Sequence, residues 1–91
     1  MKQKRTRYEI FWEILTYCKK PKSFTSVINR CNLNSKIGQN HIDFLKKRNF
    51  LTEIENNGMK LLKSTEQATH YTMLFTKTYR ELFDNSPEFR L

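Results

Sequence analysis

The sequence predicts a mainly helical α+β fold, four helices with one small β-hairpin, from three observations. Apolar residues recur at three- and four-residue steps through three stretches ahead of Phe50. A single alternating stretch, Phe50 to Glu55, meets Asn56-Asn57-Gly58 and returns through Met59 to Leu62, the pattern of a hairpin. From Thr65 the chain then runs without glycine or proline to Ser86-Pro87, room for about twenty helical residues or about 30 Å of helix.

The first helix is expected from Tyr8 to Lys19, with Ile10, Phe11, Ile14, Leu15 and Cys18 on its inner side. Trp12, Tyr8 and Tyr17 extend the apolar surface and leave only Glu9, Glu13 and Thr16 as a polar strip, so this helix should be covered from two sides. Pro21 ends it, and Ser23 offers a cap for a shorter second helix carrying Phe24, Val27, Ile28 and Cys31. Asn32-Leu33-Asn34 makes a turn with Leu33 inward and Asn34 as the next cap. A third helix follows to about Arg48, with Asn49 suited to the left-handed position at its end. Thr65, with Glu66 in the first turn, starts the last helix. Two short helices joined by a tight turn and followed by a hairpin form a winged helix-turn-helix. The expected divisions are a basic arm at 1–7, the winged helix-turn-helix at 8–63, a dimerisation helix at 64–86 and a tail at 87–91.

The formal charge is +8, and its distribution is uneven: residues 1–63 hold 14 Lys/Arg against 5 Asp/Glu, residues 64–91 hold 3 against 4. A polyanion-facing surface therefore belongs to the first two-thirds of the chain. No apolar run approaches a membrane span, and the basic start MKQKRTR leads into an amphipathic stretch rather than a signal peptide, so a cytoplasmic, nucleoid-associated protein is expected. Cys18 and Cys31 occupy apolar-periodic positions outside any metal-ligand spacing and read as buried thiols. His41 and His70 stand without ligand partners, and two glycines cannot build a phosphate loop. An enzyme, a metal site or a cofactor is not expected.

The stretches "KRTRYEIFWEIL", "FTSVINRCNLN", "IDFLKKRNFLTE" and "LLKSTEQA" resemble, in order, segments of a family of small archaeal winged helix-turn-helix DNA-binding proteins, over residues 4 to 83. Thr25, Val27, Asn32, Leu33, Ile42, Leu45 and Leu51 match its pattern; His41, Gly38, Asn49 and Ala68 depart from it. The resemblance implies a transcription regulator or chromatin-associated protein, homodimeric through its C-terminal helix.

Sorting the third helix at about 100° per residue puts Ile37, His41, Phe44 and Leu45 inward, with Gly38 and Ile42 at the shoulder. Lys36, Gln39, Asn40, Asp43 and Lys47 face outward. Ser35, Lys36, Gln39, Asn40 and Asp43 are the candidates for reading bases, since Gln and Asn pair bidentately with adenine and Lys reaches guanine. Asp43 either accepts from cytosine or restrains Lys47, four residues on. Lys2, Lys4, Arg5, Arg7, Arg30, Lys46, Lys47 and Lys60 are candidates for phosphate, with Asn56 and Asn57 at the wing tip. On the last helix Tyr71, Leu74, Phe75, Thr78, Tyr79, Leu82 and Phe83, with Ala68, make a stripe wider than docking on one small domain needs. It is expected to pack on the first helix and on its counterpart in a second copy, and these residues together with Trp12 are the candidates for the dimer interface.

Double-stranded DNA and a second copy are therefore the expected partners, with no membrane and no small-molecule effector that the sequence indicates. Two readings stand beside the transcription regulator: an architectural nucleoid protein, and a winged-helix module whose basic face meets an acidic protein. RNA is disfavoured because no exposed aromatic platform for stacking bases is evident.

Overall fold

Thr6 opens the first helix with a capping box: its hydroxyl accepts from the Glu9 amide at 3.1 Å, and the Glu9 carboxylate accepts from the Thr6 amide at 2.7 Å. The computed structural model describes residues 5–84, without the side chains of 83 and 84. Lys2, Lys4, the 87–91 tail and the Phe83 side chain thus lie outside the described residues.

Helix α1 (Arg7–Tyr17) buries Phe11, Ile14 and Leu15. It starts one residue earlier than expected, because Thr6 caps it, and Cys18 already leaves helical geometry. Ser23 caps α2 (Phe24–Arg30), accepting from the Ser26 amide at 3.2 Å. Asn34 caps α3 (Ser35–Lys47), accepting from the Ile37 amide at 2.8 Å. Each of these caps is worth about 1 kcal/mol.

The two middle helices end alike. After α2, Asn32 takes φ +55°, its amide donates to the Asn29 carbonyl and the Leu33 amide donates to the Ile28 carbonyl at 3.0 Å. After α3, Asn49 takes φ +66°, its amide donates to the Lys46 carbonyl and the Phe50 amide to the Leu45 carbonyl at 2.9 Å. Both are Schellman motifs with asparagine, rather than glycine, in the left-handed position. The apolar residue that follows, Leu33 or Phe50, folds back toward the last turn in each.

Strands β1 (Leu51–Asn56) and β2 (Met59–Ser64) pair antiparallel with Ile54 opposite Leu61 and Asn56 opposite Met59. Asn57 and Gly58 have φ of +54° and +81°, the two left-handed positions of a tight hairpin turn that suits the strand twist. Lys22, between α1 and α2, adds a one-residue bridge to β2 through amide–carbonyl bonds with Leu62 of 2.9 and 2.7 Å. That bridge is invisible to periodicity, since a single residue beside Pro21 has none. Helix α4 (Glu66–Tyr79) is capped by Thr65, whose hydroxyl also donates to the Asn49 carbonyl at 2.7 Å, tying the start of α4 to the end of α3. Instead of running on as one α-helix, α4 passes into a π-helical turn, Arg80–Asp84. Among the described residues no helix is long and apolar enough to cross a membrane.

The core gathers Ile14, Leu15, Val27, Ile42, Leu45 and Leu62, all 4% exposed or less, so every helix of the trihelical unit and the wing contribute to one cluster. Each such side chain contributes about 1.5–3 kcal/mol through burial. Cys18 and Cys31 belong to it as free thiols. Burial, with Cys31 nearby, pushes Cys18 up to about 12, and burial pushes Cys31 up to about 11, so both stay protonated and unreactive near neutral pH.

Two inward assignments fail. Ile37 is 45% exposed and Phe44 41% exposed, because the buried line on α3 is narrow, Gly38, Ile42 and Leu45 alone, and positions 37 and 44 lie about 100° around the helix from it. Phe44 stacks on Phe11 at 5.3 Å and carries the Arg48 guanidinium over its ring at 5.2 Å.

On α4 the stripe divides. Ala68 and Thr72 are buried; Tyr71, Phe75 and Tyr79 are half-buried; Leu74, Thr78 and Leu82 are exposed. Trp12 of α1 stacks on Phe75 at 5.5 Å and Tyr79 at 6.4 Å and donates its indole N–H to Thr76 Oγ1 at 3.0 Å. Tyr71 packs on Phe50 and donates to the Tyr8 carbonyl at 2.6 Å. Trp12, Tyr71, Phe75 and Tyr79 thus pack within the chain, while Leu74 and Leu82 stay open to solvent.

Gly38 sets the spacing of α2 and α3. A Cβ there would stand 1.9 Å from Ile28 Cδ1, so α3 approaches this closely only because position 38 has no side chain. Gly38→Ala gains up to about 1 kcal/mol of helix propensity but displaces a packed methyl at about 1–3 kcal/mol, so urea denaturation should show a net loss of about 1 kcal/mol. In an Ile28→Val background the offending methyl is gone and the next atom, Cγ1, lies at 3.4 Å, so the same change should be neutral or stabilising there. Equal losses in both backgrounds would refute this role of the glycine.

Candidate nucleic-acid interface

Helix α3 is held at both ends and along one side before its outer face is considered. Asn34 fixes its start, the Asn49 motif fixes its end, and Gly38 seats it on α2. Arg5 adds a brace at the turn: its guanidinium pairs with Glu13 of α1 and donates to the Asn32 carbonyl at 3.4 Å. Expected as part of a free arm, Arg5 instead ties the chain start to the turn, because Glu13 and the bare carbonyl of a left-handed residue lie within its reach.

The outer face carries Ser35, Lys36, Gln39, Asn40, Asp43 and Lys47, every one exposed. Of the two alternatives for Asp43, the pairing with Lys47 is not formed among the described residues. Asp43 accepts from Gln39 Nε2 at 2.8 Å, one turn earlier, since the shorter amide reaches the carboxylate without extending a four-carbon stem. Chemistry fixes the orientation of that amide, because a carboxylate accepts only from nitrogen. That bond uses one N–H and leaves the carbonyl oxygen and the second N–H of an exposed residue to other partners.

The surrounding cations are placed unequally. Arg7 and Lys36 are exposed, and Lys47 has no carboxylate within ion-pair distance among the described residues. Lys46 pairs with Glu53 of β1 at 3.4 Å, linking the end of α3 to the wing, so it is not the unencumbered cation that the sequence offered. Lys60, Asn56 and Asn57 are exposed at the wing, with Met59 beside them at 57% exposure. Arg30 is turned elsewhere, over the Tyr17 ring at 5.8 Å, in company with Lys22 at 4.9 Å. Arg48 is not among the residues that the sequence singles out; its position next to the exposed Phe44, at the open end of α3, places it beside the same face. Its signal lies in the basic run Lys46-Lys47-Arg48 at the end of the predicted helix.

Among the described residues no three His, Cys, Asp or Glu side chains gather into a group able to hold a metal ion.

The winged helix-turn-helix family pattern matches residues 4–83 of the chain. Among solved structures, Sso10a-2, a DNA-binding protein from Sulfolobus solfataricus, is similar at 26% identity and a TM-score of 0.73, over 96% of this chain and 99% of that one. The transcriptional regulator BldR, also from Sulfolobus solfataricus, is similar at 12% identity and a TM-score of 0.69, over 89% of this chain and 64% of that one. A MepR variant from S. aureus, bound to an oligodeoxyribonucleotide, is similar at 8% identity and a TM-score of 0.70, over 93% of this chain and 64% of that one. The last two likenesses concern the fold alone. No curated protein matches the chain by sequence.

His41 lies behind this face, its ring edge-on to Phe11 at 5.4 Å. Burial, and secondarily the Arg7 charge, hold its imidazole below the usual histidine value of 6.5. As pH falls through about 6.5, the unfolded chain therefore takes up the proton before the folded one, and stability is lost until the lower folded value is passed. Urea midpoints at pH 7.5 and pH 5.5 should differ more in the native protein than in His41→Phe, which keeps the ring packing and cannot titrate. A difference of the same size in both would show that His41 is not the titrating group.

Proposed function

Because the chain belongs to the winged helix-turn-helix family, we propose that it binds double-stranded DNA as a homodimer and regulates transcription, with α3 in the major groove. The observation that carries this reading is the outer face of α3. Its side chains are polar and exposed, its backbone is fixed at both ends, and Gln39, steadied by Asp43, carries an acceptor and a second N–H donor, the types of group that match adenine N6 and N7. Asn40 and Lys36 extend the same surface, with Ser35 at its leading end. Arg7, Lys47 and Lys60, together with Lys2 and Lys4, supply phosphate contacts that position without reading sequence. Arg5 and Lys46 contribute charge from places where they already have protein partners. The DNA-binding description of Sso10a-2 and the oligonucleotide on the MepR variant support the same reading.

Fluorescence anisotropy with duplexes selected from a random pool tests it. Affinity should fall steeply with salt, and Arg7→Ala or Lys47→Ala should weaken binding to every duplex alike while lowering the salt slope by about one each. Gln39→Ala and Asn40→Ala should reduce discrimination between duplexes, by about 1–3 kcal/mol for each bidentate pairing with a base that is removed. Asp43→Ala should act in two directions: tighter binding to all DNA, since a carboxylate leaves the groove, and weaker preference, since Gln39 loses its support. Binding indifferent to salt would overturn the proposal. If all these variants gave the same sequence-blind loss, the protein would be an architectural binder.

The dimer rests on the part of the α4 stripe that the described residues leave exposed. Leu74 is 53% and Leu82 57% exposed, one on each side of the exposed Thr78. A two-fold axis on this flank would bury both from each copy and present two recognition helices to one duplex. Light scattering at micromolar concentration should give a dimer for the native chain and a monomer for Leu74→Glu/Leu82→Glu. A monomeric native protein would refute this arrangement.

A further inference from the structure

A second basic feature lies away from α3 and the wing. Between α1 and α2 a cleft of about 660 Å³ is lined by Lys19, Lys20, Lys22 and Arg30, with Trp12 and Tyr17 forming its aromatic wall. That size is within the range of sites for small molecules, and larger than a lone inorganic anion needs. The one carboxylate on the lining is Glu13, which Arg5 already neutralises. Among the described residues lining the concavity, four cations are therefore left with no free carboxylate to offset them. Two of them, Lys22 and Arg30, lean on a single ring, Tyr17, at 4.9 and 5.8 Å, which eases their mutual repulsion only in part.

The rim that brings the lysines together is fixed. Lys22 is hydrogen-bonded to Leu62 of β2 through its backbone, and Lys63 Nζ donates to the Lys19 carbonyl at 3.3 Å. The Tyr17 hydroxyl is hydrogen-bonded to Ser26 of α2, which holds the ring in place on the cleft wall. A further observation points to a ligand. Thr16 lines the cleft, and its hydroxyl is buried without a hydrogen-bond partner among the described residues. An unsatisfied hydroxyl costs about 1–3 kcal/mol and is a donor for which the chain supplies no acceptor.

We propose that this cleft binds a phosphorylated small molecule with a planar aromatic body, its phosphate held by Lys20, Lys22 and Arg30 and its planar part lying along Trp12 and Tyr17. A phosphate carries up to two negative charges and three acceptor oxygens, which matches several cations and an orphan hydroxyl better than a single carboxylate does. The same cations offer a place to a phosphate of the DNA backbone, and the two sources differ in shape. A concave site between two helices admits a small molecule on several sides, whereas a duplex presents its phosphates on a convex rod.

Trp12 is the only tryptophan of the chain, so its fluorescence reports on the cleft. Titration with adenosine monophosphate should quench or shift it saturably, with inorganic phosphate binding more weakly because it leaves the aromatic wall unused. Lys20→Gln/Lys22→Gln should weaken adenosine monophosphate at least about tenfold while leaving duplex binding within about twofold, allowing for the lower net charge. Thr16→Val should weaken it by up to about tenfold, as loss of one hydrogen bond to a charged group requires, with Thr16→Ser restoring it. Circular dichroism on the same samples establishes that each variant folds, and the single change Lys20→Gln serves if the double variant does not. No saturable response at about 10 mM, a dissociation energy near the weakest limit for small ligands, overturns the proposal. An equal loss of duplex and nucleotide binding in the double variant also overturns it, by making the cleft part of the DNA track.

Discussion

Helices α2 and α3 meet where Gly38 has no side chain and the Ile28 methyl fills the space left. Interiors are packed closely enough that one additional carbon at this point would push α3 outward or force Ile28 from its place. The geometry around this meeting point is built to the same tolerance. Asn32 turns the chain through a left-handed conformation, the Leu33 amide donates back to the last turn of α2, and Asn34 caps α3 by accepting from the Ile37 amide. Arg5 then crosses from α1 to the carbonyl of Asn32, so the turn is held from a third direction. The orientation of the outer face of α3 follows from these few interactions. A helix has one rotational setting that seats Gly38, Ile42 and Leu45, and that setting also decides which residues are left outside.

What can be read from the sequence is chemistry that acts over three or four residues. Ser23, Asn34, Thr65 and Asn49 have side chains or backbone preferences that serve helix ends, and Asn57-Gly58 permits the paired left-handed conformations of a tight hairpin. Gly38 is legible as a place of close approach, though its neighbour Ile28 is not. Expectation and structure part where the outcome depends on distance between elements. Ile37 and Phe44 have the period of a buried face, but they lie to one side of the narrow line, Gly38, Ile42 and Leu45, on which α3 is buried. Lys22 pairs with β2 because the connection after Pro21 passes alongside it, which no pattern of spacing encodes. Thr72 and Thr76 are polar and fall outside the apolar stripe on α4, yet Thr72 turns its hydroxyl back to the Thr69 carbonyl at 2.9 Å and Thr76 receives the Trp12 indole. Both thereby satisfy their oxygen within a packed surface.

The same limit applies to charge. A formal +8 counts cations without saying which of them the protein itself uses. Arg5 braces a turn, Lys46 joins α3 to β1, and Lys22 and Arg30 lie on Tyr17. Among the described residues the exposed cations at the α3 face and wing are Arg7, Lys36, Lys47, Arg48 and Lys60, while Lys19, Lys20, Lys22 and Arg30 lie together around a separate cleft. Such a division suits a protein in which long-range attraction and local reading are separate tasks, because exposed charges draw a polyanion over about 10 Å while paired ones keep the reading surface rigid.

Asp43 is the test of that separation. A carboxylate on a face proposed to enter the major groove opposes the approach of every phosphate, so on affinity alone it is a defect. Its hydrogen bond to Gln39 changes the comparison, since an unsupported glutamine loses side-chain entropy of up to about 2 kcal/mol when it fixes on a base, comparable with the roughly 1–3 kcal/mol that a bidentate pairing contributes to discrimination. Part of that ordering is already complete in the free protein when the amide is held by Asp43. The repulsion falls on all sequences equally, whereas the preorganised amide favours only those that present adenine at the right step. A residue that lowers binding everywhere and restores it at selected sites raises the ratio between them, and that ratio, rather than the absolute affinity, is what a protein searching a large excess of other sequence requires.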